Sequence, residues 1–327
     1  MAAIGRFRPF SRRRHRNPFN RRPRARSMEL LRKGKVKEVY AVSDEELEFL
    51  FTDNISVFDK VIPSQIPHKG ETLCRTSAFW FERASKMGIR NHFLGLEDGN
   101  RMRVERVRVI PDYDRLTSET TRYLIPLEWV ARHYVAGSLY DRLRDGALAP
   151  GDLGLPADEE VRYGDPLPEP FLEVTTKLEK VDRPLTKEEA LDISGITEEE
   201  YDAVWDIVVR MDEAIQEEVG SRNLLHVDGK KEFAMDADRE ILLVDTFGTA
   251  DEDRFWDGDQ FEMGRFVELS KEFVRQHYRN TGYHEALYDA RKKGKPEPDI
   301  PPLPDDMVQR VSDLYVSLYE RITGREF

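Results

Sequence analysis

Apolar and polar residues alternate along the first third of the chain as short strands require. Strands rich in β-branched and aromatic residues are predicted over residues 37–43, 47–52, 91–94 and 102–110. The acidic link at 44–46 is short, so the first two strands are expected to form a hairpin. Residues 76–87 have apolar positions at helical spacing and end before Gly88. This block is therefore predicted to be strand-rich, with one helix.

The remainder of the chain mixes strands with longer helices. Residues 123–135 form a predicted strand, and Gly137-Ser138 then begins a helix that stops at Gly146. Residues 147–170 are rich in Pro, Gly and Asp and are predicted to be loop. Further helices are predicted from Thr186, whose capping-box partner is Glu189, and over 197–219, 261–278 and 304–323, with a loop at 292–302.

These elements predict an α+β protein with two lobes. Residues 28–112 would form an N-terminal antiparallel-sheet lobe and residues 113–327 a larger α/β C-terminal lobe. A chain of 327 residues is long enough for one large or two modest domains. Hydrophobic residues make up 39% of the chain, which is enough for a core.

The net charge of −12 hides an uneven distribution. Residues 1–27 carry ten arginines and no acidic residue. Residues 28–327 therefore contain 41 of the 51 basic residues and all 63 acidic residues, which gives this part of the chain a net charge of −22. This acidic body argues against general nucleic-acid binding. Because Lys is scarce within it, a salt-adapted host is a hypothesis that the surface charge supports.

Residues 1–27 allow three interpretations. They could be a nucleic-acid-binding arm, a targeting peptide, or an over-extended gene start with translation beginning at Met28; we favour the last and expect the segment to be disordered. They lack the apolar segment of a secretory signal, and no stretch reaches the ~20 apolar residues of a membrane span. The single cysteine, Cys74, excludes a disulfide within the chain and suits a reducing cytoplasm.

The segment Gly34-Lys35-Val36-Lys37 could place two ammonium groups beside one polyphosphate. Glycine permits close backbone approach, and Lys supplies point charges for phosphate oxygens. A solvated basic turn is the alternative. The segment is not a Walker P-loop, since GxxxxGK[ST] occurs nowhere in the chain.

A second charged segment lies between two apolar strands predicted at 223–227 and 241–244. In an extended chain Asp228, Lys230 and Glu232 would point to one side. Two carboxylates beside substrate phosphates are ligands that Mg²⁺ accepts, and Asp245 could add another. The alternative is a salt-bridge ladder across a hairpin.

Two arginines complete the candidate residues. Arg132 lies inside the apolar run 124–138, where an unpaired charge would be costly, so it needs an anionic partner from protein or ligand. Ser138 lies at the predicted start of the next helix. Its hydroxyl could bind a phosphate together with the helix N-terminus, or it could simply cap the helix. Arg254 follows an acidic turn and precedes two aromatic residues. It could contact a ligand, or it could belong to an exposed loop.

The joint order of these motifs resembles the SAICAR synthetase family from about residue 30 to 324. The run IPLEWVARHYVAGS fits the first family signature, and LHVDGKKEFAMD resembles the second with Ala234 in place of Gly. LVDTFGTADEDRFWD resembles the family's strand and loop ending in D-x-x-R-[FL]-W, with Thr246 where Glu is common and Ala250 where Pro is common. In the N-terminal part, His68 stands where Gly is common.

The resemblance implies a two-lobed fold with ATP in the cleft, and it implies a role for each matching residue. Those expected to act in catalysis are Lys230, Asp228 and Arg132, and those expected at ATP are Lys35, Lys37, Lys230 and Glu232. The substrate-binding residues would be Arg132, Ser138, Asp251, Arg254 and Lys177, and the metal ligands Glu232 and Asp245. Asp53, Ser56 and Asp59 match an N-lobe motif, and Thr175 and Thr176 match a segment that faces aspartate or the ribotide.

The activity implied is a Mg²⁺- and ATP-dependent ligation in purine biosynthesis. L-Aspartate would join the carboxylate of a carboxyaminoimidazole ribotide after that carboxylate is activated as an acyl phosphate. The resemblance implies a cytoplasmic enzyme with neither a nucleic-acid nor a membrane partner. The resemblance leaves the oligomeric state open, a homo-oligomer being one option. Two alternatives remain at this point: a small-molecule kinase on the same scaffold, and a non-catalytic nucleotide- or RNA-binding protein using residues 1–27.

Overall fold

A computed structural model describes residues 28–269 and 271–327, so the predictions for residues 1–27 lie outside the described part. A five-stranded antiparallel sheet forms the first layer, in the order β1-β2-β3-β7-β6. Its strands are β1 (Glu29–Lys33), β2 (Lys37–Ala41), β3 (Glu46–Phe51), β6 (Phe93–Asp98) and β7 (Arg101–Glu105). Lys37 is the first residue of β2, and the register pairs it with Phe51, the last residue of β3.

The connection between β3 and β6 contains a two-stranded hairpin and a long helix. The hairpin is β4 (Asn54–Val57) with β5 (Lys60–Gln65), and the helix is α1 (Lys69–Lys86). Asp53 Oδ1 accepts a hydrogen bond from Gly70 N at 2.9 Å and so caps the start of this helix. The buried face of α1, with Trp80 and Phe81 fully buried, joins the main core.

The second layer is a six-stranded antiparallel sheet in the order β10-β9-β8-β11-β12, with β13 also paired to β11. Its strands are β8 (Tyr123–Tyr134), β9 (Pro166–Thr176), β10 (Pro184–Leu185), β11 (Leu224–Met235), β12 (Ile241–Val244) and β13 (Arg254–Asp257). Strand β11 is central and pairs with β8 along most of its length. The two sheets meet where Leu243 N donates to Arg90 O at 3.0 Å and His92 N donates to Leu243 O at 3.1 Å.

The remaining helices pack on this second sheet or on one another, and the last helix returns to pack on α1. They are α2 (Gly137–Arg144), α3 (Lys187–Ser194), α4 (Glu198–Gly220), α5 (Gly258–Glu262), α6 (Glu272–Asn280), α7 (Tyr283–Lys292) and α8 (Asp305–Thr323). The capping box predicted at Thr186 and Glu189 is confirmed at α3. Helix α4 buries Val204, Val208, Met211 and Ile215 on the face predicted from its spacing. Within the described residues, no helix combines the length and apolar character of a membrane span.

The predicted α+β architecture is confirmed, but two local predictions were wrong. The loop predicted at 147–170 contains the first residues of β9. Prolines 166, 168 and 170 fit there because this part of β9 pairs with β8 on one side and has no strand of the described chain on its other side. The helix predicted at 261–278 is two helices, since α5 ends before Gly264, which has φ +72°. The charged segment 228–240 lies within a hairpin, in which β11 continues to Met235 before the chain turns into β12.

Candidate active site

A cavity of about 760 Å³ lies between the two sheets. One part of its wall is apolar and includes Val39, Phe49, Val107, Leu124 and Val244. The rest is charged and includes Lys35, Lys37, Lys177, Lys230, Glu232, Asp245 and Glu252. An apolar slot beside a cluster of ammonium groups suits a ligand that joins an aromatic base to a polyphosphate. We refer to this space as the first cavity.

The Gly34–Lys37 turn brings its two lysines to the first cavity. Gly34 N donates to Lys37 O at 2.8 Å, and a Cβ on Gly34 would stand 2.8 Å from the same oxygen, so glycine is needed there. Lys35 Nζ lies 2.7 Å from Asp59 Oδ1, and Lys37 Nζ contacts Asp245. Burial lowers the pKa of Lys37 to about 8, despite the nearby carboxylates.

A group of alternating charges lies beside Lys37. Lys230 Nζ is 2.8 Å from Glu128 Oε1, 3.2 Å from Glu232 Oε1 and 3.4 Å from Glu252 Oε2. Lys177 Nζ contacts Glu232 and lies 3.4 Å from Glu128 Oε1. Burial alone would raise the pKa of Glu232, but the ammonium groups of Lys177 and Lys230 lower it to about 2. Glu232 therefore stays ionised as an oxygen donor.

The second cavity, of about 1110 Å³, is lined in part by Gly137, Ser138, Tyr163, Arg254 and Asp59. Arg254 Nη1 donates to Asp228 Oδ2 at 2.8 Å, and its Nε lies 2.9 Å from Glu268 Oε1. The start of helix α2 and this guanidinium face the same space. Such a combination of helix N-terminus, hydroxyl and Arg suits a phosphate.

Arg132 lies close to this group, and its predicted need for an anionic partner is met within the protein. Its Nε donates to Glu173 Oε1 at 2.7 Å and its Nη1 to Asp228 Oδ2 at 3.3 Å. Its Nη2 donates to Ser138 Oγ at 3.2 Å. The fold therefore brings Arg132, Ser138, Asp228 and Arg254 together, although they come from three strands and one helix.

Not every predicted residue lies in a cavity wall. Asp251 is buried away from both: its Oδ2 accepts from Lys69 Nζ at 2.8 Å and its Oδ1 from Tyr315 Oη at 2.7 Å. Although burial by itself would raise it, the ammonium groups of Lys271 and Lys69 hold the pKa of Asp251 below its usual range. Thr176 is also buried, and its Oγ1 accepts from Arg183 N at 3.1 Å. Lys177, next in the chain, does reach the first cavity.

The other residues singled out by the family resemblance also divide into those at a cavity wall and those away from one. Asp59 lines the second cavity, whereas Asp53 caps α1. Ser56 lies in β4, paired with Val61 across the hairpin, and Thr175 lies opposite Glu128 at the end of β9. Of these four, Asp59 contacts a charged residue of the first cavity, Lys35.

Behind the sheet, on the side of α4, lies a buried group of ionisable residues that the sequence did not indicate. Asp212 contacts Lys231 Nζ and lies 3.2 Å from His133 Nε2. His226 Nε2 lies 2.8 Å from Asp253 Oδ2. His133, Asp212 and His226 form the one donor group of metal-binding size found among the described residues, but Lys231 already neutralises Asp212. We interpret this group as structural.

Sequence reasoning also missed residues that line or support the cavities. Glu128 and Glu252 surround Lys230, and Glu173 holds Arg132. His92 lines the first cavity, where burial lowers its pKa to about 3 and keeps the imidazole neutral. Glu128 had a detectable signal, because it is an acid inside the same apolar run as Arg132. Glu173 had no such signal in the sequence, since the strand that contains it was not predicted.

Comparisons with known proteins agree with this geometry. The family model described as SAICAR synthetase matches residues 30–290. A phosphoribosylaminoimidazole-succinocarboxamide synthase from Thermoplasma acidophilum is 54% identical over 300 residues, covering 92% of this chain and 100% of the relative. The enzyme of that name from Nitrosopumilus maritimus is 31% identical, covering 91% and 99%.

Solved structures share the fold. A structure described as SAICAR synthetase (Type-2) in complex with ADP is 26% identical, with a TM-score of 0.64 over 90% of this chain and 98% of that one. A SAICAR synthase from Saccharomyces cerevisiae, solved with SAICAR, has a TM-score of 0.71 at 24% identity, covering 92% and 96%. At that identity the likeness to the yeast protein concerns the fold alone.

Proposed function

The chain belongs to the SAICAR synthetase family, and on that basis we propose how its two cavities carry out the family's reaction. The reaction is the ATP-dependent joining of L-aspartate to the carboxylate of a carboxyaminoimidazole ribotide, which yields SAICAR, ADP and phosphate. The relative from T. acidophilum carries the name of this activity and aligns over its whole length.

ATP would occupy the first cavity. Its base would lie against the apolar wall that includes Val39 and Leu124, and its phosphates would face Lys35, Lys37 and Lys230. The related structure that holds ADP supports a nucleotide in this fold. Since Lys37 and Lys35 each contact a carboxylate here, Asp245 and Asp59, phosphate binding would exchange one anionic partner for another.

The donors of the first cavity fit Mg²⁺. Glu232 and Asp245 offer carboxylate oxygens, the ligands that Mg²⁺ prefers together with phosphate oxygens. The low pKa of Glu232, about 2, keeps that donor ionised at neutral pH. A bound Mg²⁺ would supply neutralisation of phosphate charge.

The ribotide would place its phosphate in the second cavity, at Ser138 and Arg254, with Arg132 behind them. The observation that carries this assignment is the shared face of strand β11. Asp228 contacts Arg132 and Arg254, while Lys230 and Glu232 line the first cavity. Residues two apart in a strand are separated by about 7 Å. One substrate can therefore span from the phosphate site to the nucleotide.

These positions support a two-step reaction. A carboxylate oxygen of the ribotide attacks the γ-phosphorus of ATP, and the bond to ADP breaks. The neutral amine of L-aspartate then attacks the acyl carbon, an amide bond forms, and phosphate leaves. Lys37 and Lys230 would stabilise charge at the transferring phosphoryl group, which is the main requirement of such chemistry. Arg132 and Arg254 would hold the ribotide in position.

The test is ADP release by the full chain with Mg²⁺, ATP, the ribotide and L-aspartate, each omitted in turn over a range of KCl. We expect ADP release that requires both ribotide and aspartate, with a succinocarboxamide product. Turnover without aspartate would instead favour the small-molecule kinase. Absence of turnover by folded protein at every salt concentration would contradict both.

We propose no nucleic-acid partner. The acidic balance of residues 28–327 disfavours one, and the arginine-rich residues 1–27 hold the basic charge that an RNA-binding alternative would need. A salt-dependent affinity for RNA that disappears when residues 1–27 are removed would support that alternative. A cytoplasmic location and a homo-oligomeric state stay predictions.

A further inference from the structure

The second cavity has a corner that the phosphate site does not use. Gly137, Ser138 and Arg254 occupy one part of its wall, and helices α6 and α7 form another with Arg275, Arg279 and His284. Cavities that hold small molecules begin at about 300 Å³, and this one measures about 1110 Å³. It therefore has room for a second small substrate beside the ribotide.

The tip of the β4–β5 hairpin closes this corner. The Phe58 ring lies 4.7 Å from the His284 ring, and the Arg279 guanidinium lies 5.9 Å from the Phe58 ring centroid. Phe58 and Asp59 both have left-handed backbone angles, with φ +51° and +64°, and such an angle is uncommon for a bulky residue like Phe58. Arg291 Nη2 donates to Phe58 O at 3.0 Å and helps to hold this turn. Asp59 is thereby kept at the wall of the cavity.

The charges of the corner form a pattern of two cations and one anion. Arg275 and Arg279 are four residues apart on α6, so their side chains lie on one face of the helix. Asp59 supplies a carboxylate whose pKa is lowered by the hydrogen bond from Lys35. L-Aspartate has the complementary pattern, with two carboxylates and one ammonium, and the guanidinium fork matches carboxylate geometry.

Resting on the proposed function, we propose that this corner is the L-aspartate site, with the two substrate carboxylates at Arg275 and Arg279 and the amine at Asp59. Both guanidiniums have partners within the protein, so the substrate carboxylates would share or replace those contacts. Lys35 Nζ, 2.7 Å from Asp59 Oδ1, lines the first cavity. The amine would thus lie on the side of the corner that faces the nucleotide.

The experiment compares Arg275→Gln and Arg279→Gln with the full wild-type chain in steady-state kinetics. Losing a charged hydrogen-bond partner should raise KM for L-aspartate about 10- to 100-fold, while KM for the ribotide and for ATP stays unchanged. Arg310→Gln is the matched control, because Arg310 packs on Phe273 of α6 without lining the cavity. It should leave KM for L-aspartate unchanged.

Succinate, a dicarboxylate without the amine, separates the two parts of the site. It should inhibit competitively against L-aspartate, and its Ki should rise in both Gln variants. In Asp59→Asn, KM for L-aspartate should rise while Ki for succinate stays constant. Arg279→Lys keeps the positive charge and should recover part of the affinity for L-aspartate. Such a recovery would show that the loss in Arg279→Gln is not caused by misfolding.

A rise in KM for the ribotide with KM for L-aspartate unchanged would assign the two arginines to the ribotide and overturn the proposal. So would a succinate Ki that none of the Arg variants changes. Wild-type protein that releases ADP without any need for L-aspartate would instead contradict the proposed function itself, and the aspartate site with it. The wild-type assay therefore tells the two failures apart.

Discussion

The Cα of Gly137 lies against the guanidinium of Arg254, so that a Cβ at residue 137 would stand 2.6 Å from both Nη atoms. Gly137 also has φ +52°, a left-handed angle that disfavours any side chain. The glycine of the Ala-Gly-Ser run is therefore required by Arg254 as well as by its own backbone. This contact links the start of helix α2 to strand β13 at the second cavity.

Gly137→Ala should displace Arg254 and weaken ribotide binding. We expect KM for the ribotide to rise by about tenfold or more, equivalent to ~1.4 kcal/mol, with KM for ATP unchanged. Gly146→Ala is a matched control, since Gly146 also has a left-handed φ of +75° but a Cβ there would meet no other atom within 4 Å. Equal ribotide KM values in both variants would contradict the steric role of Gly137.

ATP affinity should depend on pH through Lys37, whose pKa is about 8 in the free protein. Below pH 8 the ammonium is charged and attracts phosphate, and above pH 8 the free protein must take up a proton to bind ATP. We therefore expect a constant Kd below pH 8 and a rise above it, by up to about tenfold for each pH unit. Calorimetric titration from about pH 7 to 9.5 measures both the affinity and the proton uptake.

Lys37→Arg provides the comparison for that titration. Arginine stays charged throughout this range, so its Kd for ATP should not change with pH even if its absolute affinity differs. The same slope in Lys37→Arg and wild type would show that another group causes the pH dependence.

Asp212→Asn should destabilise the protein strongly. Lys231 is completely buried and contacts Asp212, so the variant removes the carboxylate that directly contacts a buried ammonium. Breaking such a pair costs about 3–5 kcal/mol, which urea unfolding would measure. The double variant Asp212→Leu with Lys231→Met removes both charges and should recover much of the loss. A double variant no more stable than Asp212→Asn would argue against the ion pair as the cause.

Asp251→Asn distinguishes a structural role from substrate binding. Because Asp251 is buried with Lys69 and Tyr315, we expect a loss of stability of about 3–5 kcal/mol with an unchanged KM for the ribotide. Thermal unfolding and steady-state kinetics on the same preparation give both quantities. If KM for the ribotide rose at unchanged stability, the role implied by the family resemblance would be supported instead.

Local patterns predicted the parts of the site that depend on strand geometry. Asp228, Lys230 and Glu232 share one face of β11, as residues two apart in a strand must. The cost of an unpaired charge in an apolar run correctly required a partner for Arg132. The failed predictions have local causes too, such as the three prolines that an edge position allows in β9.

Periodicity and motif order were enough to predict the α+β class, the family and several of the charged residues of the two cavities, because they are properties of neighbouring residues. The packing of distant elements established that Asp251 is paired with Lys69, 182 residues away, whereas Lys230 faces a cavity. It also brought Asp59 beside the arginines of α6. Whether a charged side chain is buried with a partner or lines a cavity depends on which distant elements pack against it, and no local pattern contains that information.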